Sequence, residues 1–259
     1  MGAVDGGSDG LSFEHANLSG ARFHVVDLSG MRISQADLTG AVFRGVEFVD
    51  VEIDGEVQNV TINGVEVGAF VEAELDRRDP DRPKMRPTDA AGFRAAWDIV
   101  EARWAGTIAH ARTLDQDRLH ESVDGEWSFI QTLRHLVMAT DCWINRALLG
   151  DPRPWHPLGL PFDEMEPHPD VPWDREARPS LDEVLEARAD RMATVRRVLD
   201  ELTDDALDTH TSPVDGPGWP PPREFEVREC LLVVLNEEYQ HRRIAERDLA
   251  VIEARIAST

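Results

Sequence analysis

The sequence predicts an α+β protein in which a short repeat segment precedes a four-helix bundle. Apolar residues recur every five positions near the N-terminus, and they recur at three- and four-residue steps in the C-terminal two thirds. The second spacing is that of an amphipathic α-helix, whereas a period of five fits neither helix nor strand and is typical of a repeat architecture. We therefore expect a disordered tail at 1–10, repeats at 11–56, a hairpin cap and linker at 57–87, and the bundle at 88–259.

The repeat segment has an apolar residue at every fifth position, with a second apolar residue two positions earlier. The central positions are Phe13, Leu18, Phe23, Leu28, Ile33, Leu38, Phe43, Phe48 and Ile53. The runs Ala16-Asn-Leu-Ser-Gly and Ala36-Asp-Leu-Thr-Gly resemble the pentapeptide-repeat family. That resemblance implies a short right-handed quadrilateral β-helix of roughly two coils, in which the central side chains fill the axis.

The residues between the repeats and the bundle predict a turn followed by a connection. Val60 to Val67 reads as two short β segments around the Asn63-Gly64 turn, which indicates a hairpin. The stretch from Asp76 to Pro87 combines many charges with three prolines. This composition is typical of a linker or an extended strap between domains.

Four amphipathic segments predict the helices of the bundle. They are expected at about Gly92–Leu114, Ser128–Leu149, Leu181–Leu202 and Val227–Ala257. Ser180 and Glu183 form a capping-box pattern at the start of the third. The connection between the second and third helices, rich in Pro and Trp, is long enough to cross the bundle at roughly 3.3 Å per extended residue. We therefore expect helices two and three to run parallel, and helices two and four antiparallel.

Composition excludes several functions. Fifty acidic against 27 basic residues give a formal net charge of -23, which repels nucleic-acid phosphates and anionic lipids, so we expect no direct nucleic-acid or membrane partner. No signal-peptide pattern or membrane-length apolar stretch is present, which predicts a cytoplasmic protein.

Cys142 and Cys230 lie in apolar helical contexts, which favours buried free thiols. Lys84, the only lysine, lies in the predicted linker, which argues against Schiff-base catalysis.

Three side chains on the predicted second and fourth helices are candidate metal ligands. Glu237 and His241 are four residues apart, so a helix places them on one face, and His135 can supply a third ligand from another helix. Three protein ligands with an open position are typical of catalytic metal sites. Two histidines and a carboxylate suit Zn and would also accommodate Ni, Fe or Mn. On spacing alone, an ordinary surface ion pair between Glu237 and His241 is the more common explanation of the pattern.

From about Phe93 to Asp248 the chain resembles the DinB-like superfamily. The resemblance rests on Glu126-Trp-Ser at the entry to the second helix, the Leu-Arg-His-Leu run that contains His135, and the His-Arg-Arg run that begins at His241. It implies an up-down-down-up four-helix bundle that binds a divalent metal through three histidines.

The match of individual residues to the family pattern is incomplete. His135 corresponds to the histidine of the second helix, and His241 to the last histidine of the fourth. Glu237 occupies the middle ligand position, where the family pattern has histidine. Glu238, three residues before His241, is a substitute ligand.

Further site residues follow from their places beside these ligands. Glu126, Arg134 and Arg242 are candidates for supporting the site or for binding a cofactor or substrate, although solvated helix charges are the more common explanation for the two arginines. Glu238 is the candidate catalytic base.

The resemblance implies an enzyme that uses a divalent metal, Zn or Ni, together with a low-molecular-weight thiol such as mycothiol. The reaction would be a thiol transfer or an isomerisation of an unknown small molecule, with the metal lowering the pKa of the cofactor's thiol. Metal-dependent hydrolysis, with Glu238 as base, is the alternative within this class.

A non-catalytic binding or scaffold protein is the competing class. The repeats have more acidic residues than their three arginines, Arg22, Arg32 and Arg44. They would then serve as a stabilising appendage or as the dimerisation surface of a homodimer.

Overall fold

The structure is a computed structural model that describes residues 12–34, 36–55, 57–163 and 165–257. It divides into two compact units, Met1–Glu56 and Val57–Thr259. The disordered tail predicted at 1–10 lies outside the described residues.

The backbone of the N-terminal unit turns with a period of five. Positive φ angles occur at His15, Gly20, Val25, Gly30, Gly40, Gly45, Asp50 and Gly55. At alternate turns the side-chain oxygen of Asn17, Asp27 or Asp37 accepts a hydrogen bond from the amide two residues later, which is an Asx-turn. The period predicted from apolar side chains is therefore also a period of the main chain.

The central apolar side chains of this unit are partly exposed. Their exposed fractions run from 41% at Leu28 to 75% at Ile53. Residues 12–34 and 36–55 contain no helix or strand. The quadrilateral β-helix is therefore not confirmed and stays a prediction.

The second unit begins with the predicted hairpin. Strands β1 (Thr61–Ile62) and β2 (Val65–Glu66) are antiparallel, with Ile62 opposite Val65. The turn residues Asn63 and Gly64 have φ angles of 50° and 80°. Two successive positive φ angles define a type I′ turn, and Asn-Gly is the pair best suited to it, so the predicted hairpin is confirmed.

Four long helices follow and bury their apolar faces against each other. In chain order the helices are α1 (Gly68–Arg78), α2 (Ala90–Ala111), α3 (Phe129–Thr140, continued by a π-helical segment at Asp141–Leu148), α4 (Leu181–Glu201), the short α5 (Asp204–Leu207) and α6 (Val227–Ala257), with 3-10 turns at Arg82–Met85 and Gln116–His120. The long helices α2, α3, α4 and α6 agree with the predicted bounds to within three residues. Capping boxes begin α3 at Ser128 and α4 at Ser180. No helix among the described residues is both long enough and apolar enough to cross a membrane.

Contacts between α2 and α4 establish that they are antiparallel. Glu101 in the middle of α2 pairs with Arg196 near the end of α4, whereas Arg112 at the end of α2 pairs with Asp182 at the start of α4. The indole rings of Trp97 and Trp104 fill the core on this side.

Contacts of α3 establish the other directions. Arg134 bonds to the carbonyl of Ala177 before α4, and Asp141 pairs with Arg191 further along it, so α3 and α4 are parallel. His135 faces Glu237, whereas Ala147, beyond it, packs in one cluster with the earlier residue Cys230, so α3 and α6 are antiparallel. Both predicted directions are confirmed.

The segment predicted as a linker or extended strap folds within the second unit. Arg82 pairs with Glu72 and Asp76, which draws the chain into a helix and a 3-10 turn instead of an extended strap. Asp79 accepts hydrogen bonds from Arg103 of α2 and from the hydroxyl of Tyr239 in α6. These bonds attach α1 and the following turn to the helical core.

Cys142 and Cys230 are buried free thiols, as predicted. They lie in two separate small apolar clusters, and Trp143 packs against both. Burial raises the pKa of the Cys142 thiol above its ordinary range and that of Cys230 to about 12. Neither thiol is therefore a ready nucleophile.

Candidate metal centre

The side chains of His135, Glu237 and His241 converge between α3 and α6. One ligand atom from each lies within 4.8 Å of the other two. An oxygen of Glu237, Oε2, is 3.2 Å from Nε2 of His135 and 2.9 Å from Nε2 of His241. The three candidate ligands predicted from the sequence are therefore brought together by the fold.

The local sequence explains why these side chains meet. Glu237 and His241 are one turn apart on α6, so their side chains share a face of the helix. His135 lies in the second turn of α3, whose start is fixed by the capping box at Ser128. His135 is buried, whereas Glu237 and His241 are partly exposed, so the site is open toward the α6 side.

A main-chain carbonyl fixes the orientation of the His135 ring. Nδ1 of His135 lies 3.2 Å from the carbonyl oxygen of Leu160. Because a carbonyl can only accept, this contact requires the hydrogen to be on Nδ1. Whenever the ring is neutral, this leaves the lone pair on Nε2, the nitrogen that faces Glu237, and that is the state in which histidine binds a metal.

Trp127 packs against both imidazole rings. Its ring centroid lies 4.4 Å from that of His135 and 5.8 Å from that of His241, with the second pair stacked. The indole immediately precedes the cap residue of α3, so the start of this helix positions it beside the ligands. It limits the rotation of both rings and excludes water from one side of the site.

The donor set fits a divalent cation. Zinc bonds of about 2.0–2.1 Å correspond to ligand atoms about 3.3 Å apart, close to both separations at Glu237 Oε2. The group as a whole spans up to 4.8 Å, so its donor atoms would draw closer around a bound ion. A lone pair on a histidine nitrogen that faces a carboxylate repels it unless a proton or a metal ion lies between the two atoms. The residues present therefore suit a cation, and Zn²⁺ or Ni²⁺ accepts this mixture of nitrogen and oxygen ligands.

Electrostatics keep Glu237 ionised. Burial raises the pKa of its carboxyl group, but hydrogen bonds and charge interactions with His135 and His241 outweigh burial and hold the pKa well below its usual range. A metal ligand must be deprotonated, and this one is so throughout the neutral range.

Glu238 does not join this group. Its two carboxylate oxygens accept from the guanidinium of Arg188 at 3.1 and 2.9 Å, and both side chains are almost completely buried. The Arg188 guanidinium also stacks over the ring of Trp104. With both oxygens bound on the α4 side, the geometry gives no support to Glu238 as a substitute ligand or as a base.

The predicted cofactor-binding arginines also have other partners. Arg134 is completely buried and bonds to the main-chain carbonyls of Leu158, Asp174 and Ala177. Arg242 pairs with Glu246 one turn along α6. Neither is brought into the triad, and their binding of a cofactor stays a prediction.

Glu126, predicted to support the site, has a main-chain role at the entry to α3. Its carbonyl accepts a hydrogen bond from the hydroxyl of Ser122. The side chain is partly exposed.

Two residues of the site were not predicted from the sequence. Leu160 acts through its carbonyl, and a main-chain group carries no signal in the sequence. Trp127 belongs to the Glu-Trp-Ser run noted above, and its place one residue before a helix cap gave a signal for its position.

The helical core and the triad define a helical protein with a candidate site for one divalent cation. A model of the DinB superfamily matches residues 99–245, more than half of the chain. The chain belongs to the DinB superfamily. A model of pentapeptide repeats matches residues 9–45 and 21–55, with eight copies, so the N-terminal region carries these repeats. No curated protein and no solved structure matches the chain.

Proposed function

We propose that this protein is a divalent-metal-dependent enzyme in which His135, Glu237 and His241 hold the metal. The observation that carries the proposal is the convergence of their three donor atoms within 4.8 Å, with the carbonyl of Leu160 accepting from the opposite nitrogen of His135. A surface ion pair needs neither a third donor nor a fixed ring orientation.

Each residue of the site has a separate task. His135 and His241 present Nε2, Glu237 presents a carboxylate oxygen, and Trp127 limits access of water from one side. A bound metal would supply the positive charge that lowers the pKa of a thiol or polarises an acceptor group.

The charge of the donor set favours a singly charged ligand. Two neutral histidines and one carboxylate carry a charge of -1, so a divalent ion leaves the loaded site with a net +1. A set of three histidines would leave +2. Glu237 thus weakens the attraction for multiply charged anions such as phosphates and suits a monoanion such as a thiolate.

We favour thiol transfer or isomerisation with a low-molecular-weight thiol such as mycothiol over hydrolysis. Hydrolysis needs a base beside the attacking water, and the predicted base, Glu238, is bound on both oxygens by Arg188. A thiolate needs no such base once it is ionised. We place this reaction in the reducing cytoplasm, where such thiols are abundant.

The direct test is the metal content of the purified protein. We expect one Zn²⁺ or Ni²⁺ per chain, and the alanine variant of each triad residue should lose most of it. His110→Ala is a matched control, because Nε2 of His110 contacts Oε1 of Glu253 at 2.8 Å in another histidine–glutamate pair between helices.

This control should retain the wild-type metal content. The absence of stoichiometric metal from the wild-type protein after incubation with Zn²⁺ and Ni²⁺ would overturn the proposal. An equal loss from the His110 variant would show that the triad is not the site.

Activity should be screened with thiols and electrophiles in pairs. The metal-loaded protein is expected to speed the loss of free thiol when a low-molecular-weight thiol and an electrophilic substrate are present together. Metal-dependent cleavage of ester or amide substrates with no dependence on thiol would favour the hydrolase instead.

A scaffold role for the repeats is the second candidate, because their central apolar side chains are about half exposed. We propose that the segment coils as a quadrilateral β-helix, supported by the positive φ at every fifth described residue, and that it joins two chains in a homodimer. Light scattering of the full chain should give twice the monomer mass. A monomer at high concentration would exclude the dimer.

A further inference from the structure

A buried arginine of α3 bonds to both arms of the long connection between α3 and α4. The guanidinium of Arg134 donates to the carbonyls of Leu158 at 2.9 Å, Asp174 at 2.5 Å and Ala177 at 3.1 Å. Leu158 lies near the start of this connection, and Asp174 and Ala177 lie near its end. One side chain therefore ties both arms of the connection to α3.

Leu160 lies two residues after Leu158, and both its amide and its carbonyl form hydrogen bonds with α3. Its amide donates to the carbonyl of Arg134 at 3.1 Å, and its own carbonyl accepts from Nδ1 of His135 at 3.2 Å. The side chain of Leu160 is completely buried. The connection thus delivers to the metal centre the acceptor that orients His135.

We propose that Arg134 is a positioning residue for His135. It holds the connection so that the carbonyl of Leu160 fixes the ring of His135 with Nε2 directed at the site. The inference deepens the proposed function, and its consequence for metal affinity rests on that function. It is an alternative to the cofactor-binding role predicted for Arg134, which stays a prediction.

The chemistry of the side chain explains why arginine occupies this place. A guanidinium has five N–H donors in a fixed plane, so it can bond to three carbonyls that approach from different directions. An ammonium group has three donors at one point and cannot reach acceptors so far apart. Each carbonyl places partial negative charge beside the guanidinium, and these charges stabilise the buried cation.

Coupling between the connection and the metal must act in both directions. If closure of the connection favours binding by His135, then metal binding must favour closure by the same factor. Metal should therefore slow the hydrogen exchange of the Leu160 amide in the wild-type protein.

The chain offers a matched control in Arg146. This side chain is also buried on the continuation of α3, and its guanidinium donates to the carbonyls of Pro152 at 3.1 Å, Val214 at 2.9 Å and Gly216 at 2.9 Å. It has the same chemistry as Arg134, but it bonds to the α3–α4 connection only at Pro152, eight residues before Leu160, and not to its second arm.

The test compares Arg134→Met with Arg146→Met in the full-length protein, with Arg134→Lys as a milder variant that keeps the charge. Loss of a group that orients a metal ligand commonly weakens metal binding by about 10–100-fold, so we expect roughly tenfold weaker Zn²⁺ binding in Arg134→Met and little change in Arg146→Met. The Zn²⁺ affinity of Arg134→Lys should lie between that of Arg134→Met and that of the wild type. Thermal unfolding of each metal-free variant shows how much fold stability is lost.

Hydrogen exchange distinguishes failure of this inference from failure of the proposed function. In the metal-free proteins, exchange of the Leu160 amide should be faster in Arg134→Met than in the wild type and unchanged in Arg146→Met. Unchanged exchange in Arg134→Met, or an equal loss of Zn²⁺ affinity in both methionine variants, would overturn the inference. If the wild type binds no metal, the proposed function fails, and the exchange of Leu160 still decides whether Arg134 holds the connection.

Discussion

At the scale of single residues, Glu237 determines the character of the metal centre. Its carboxylate oxygen contacts the ligand nitrogens of both histidines, and those contacts keep it ionised. A hard oxygen among nitrogen ligands broadens the range of metals that the site accepts.

Replacing this residue by histidine should narrow that range. Glu237→His gives three nitrogen ligands, and we expect the preference for Zn²⁺ over Mn²⁺ to rise by about tenfold or more. Glu237→Gln, which has a similar shape and no charge, should weaken the binding of both Zn²⁺ and Mn²⁺. Competition titrations with a chromophoric chelator measure the ratio, and an unchanged ratio in Glu237→His would mean that residue 237 is not a ligand.

Because the thiol of Cys230 is buried, we expect the free energy of unfolding to fall as the pH becomes alkaline. Its pKa is raised to about 12 by burial, whereas an unfolded cysteine titrates near 8.5. The unfolded state therefore releases its proton first, so the stability that the buried thiol gives is complete below about pH 8.5 and is lost as pH rises toward 12.

Between pH 8 and pH 10 this effect amounts to about 2 kcal/mol for one thiol. The free energy of unfolding in urea should fall less over this interval in Cys230→Ala than in the wild type. An equal fall in both proteins would show that Cys230 ionises as easily in the folded state as in the unfolded chain.

At the scale of elements, α4 and α6 are joined by a buried ion pair. Arg188 and Glu238 bond through two parallel hydrogen bonds, and each has a side chain about 2–3% exposed. Removing one member leaves the other charge buried without a partner.

We expect Arg188→Met to destabilise the protein by about 3–5 kcal/mol, and the double variant with Glu238→Met to recover most of that loss. Urea unfolding measures both. The double variant should also retain wild-type metal content, because Glu238 lies outside the triad. Loss of metal from a well-folded double variant would make Glu238 a candidate ligand again.

The sequence predicted the helices and the triad, because both depend on spacing along the chain. Apolar periodicity and the Ser180 cap located the helices, and the four-residue step placed Glu237 beside His241 on α6. The partner on α3 came from resemblance to a family, since nothing in the spacing alone joins His135 to residues a hundred positions later.

Contacts between residues that are distant in the sequence could not be predicted from it. Arg188 meets Glu238 only because α4 packs against α6, and the Leu160 carbonyl meets His135 only because the long connection closes over α3. The predicted linker folded instead of extending, because its charged residues find partners such as Arg103 that are distant in sequence.

At the scale of the whole molecule, the chain consists of two compact units with different construction. Over its described residues, the repeat unit has a periodic main chain and exposed apolar side chains, whereas the second unit has a buried core and contains the triad. All the contacts described for the metal centre arise within the second unit.

Deleting residues 1–56 should therefore leave the metal centre intact. We expect the shortened protein to bind the same amount of metal per chain and to unfold at a similar temperature, as followed by calorimetry and metal analysis. A substantial fall in either quantity would show that the second unit depends on the repeats for its fold.

The turn at every fifth residue of the repeats also constrains how this unit can change in evolution. Asx-turns at Asn17, Asp27 and Asp37, each followed by a glycine with positive φ, alternate with turns of a second kind. An insertion or deletion that is not a multiple of five moves side chains that belong at turns into the straight parts between them. The segment can therefore keep its turns in register only when it lengthens or shortens by whole repeats, and related chains should differ in this region by multiples of five residues.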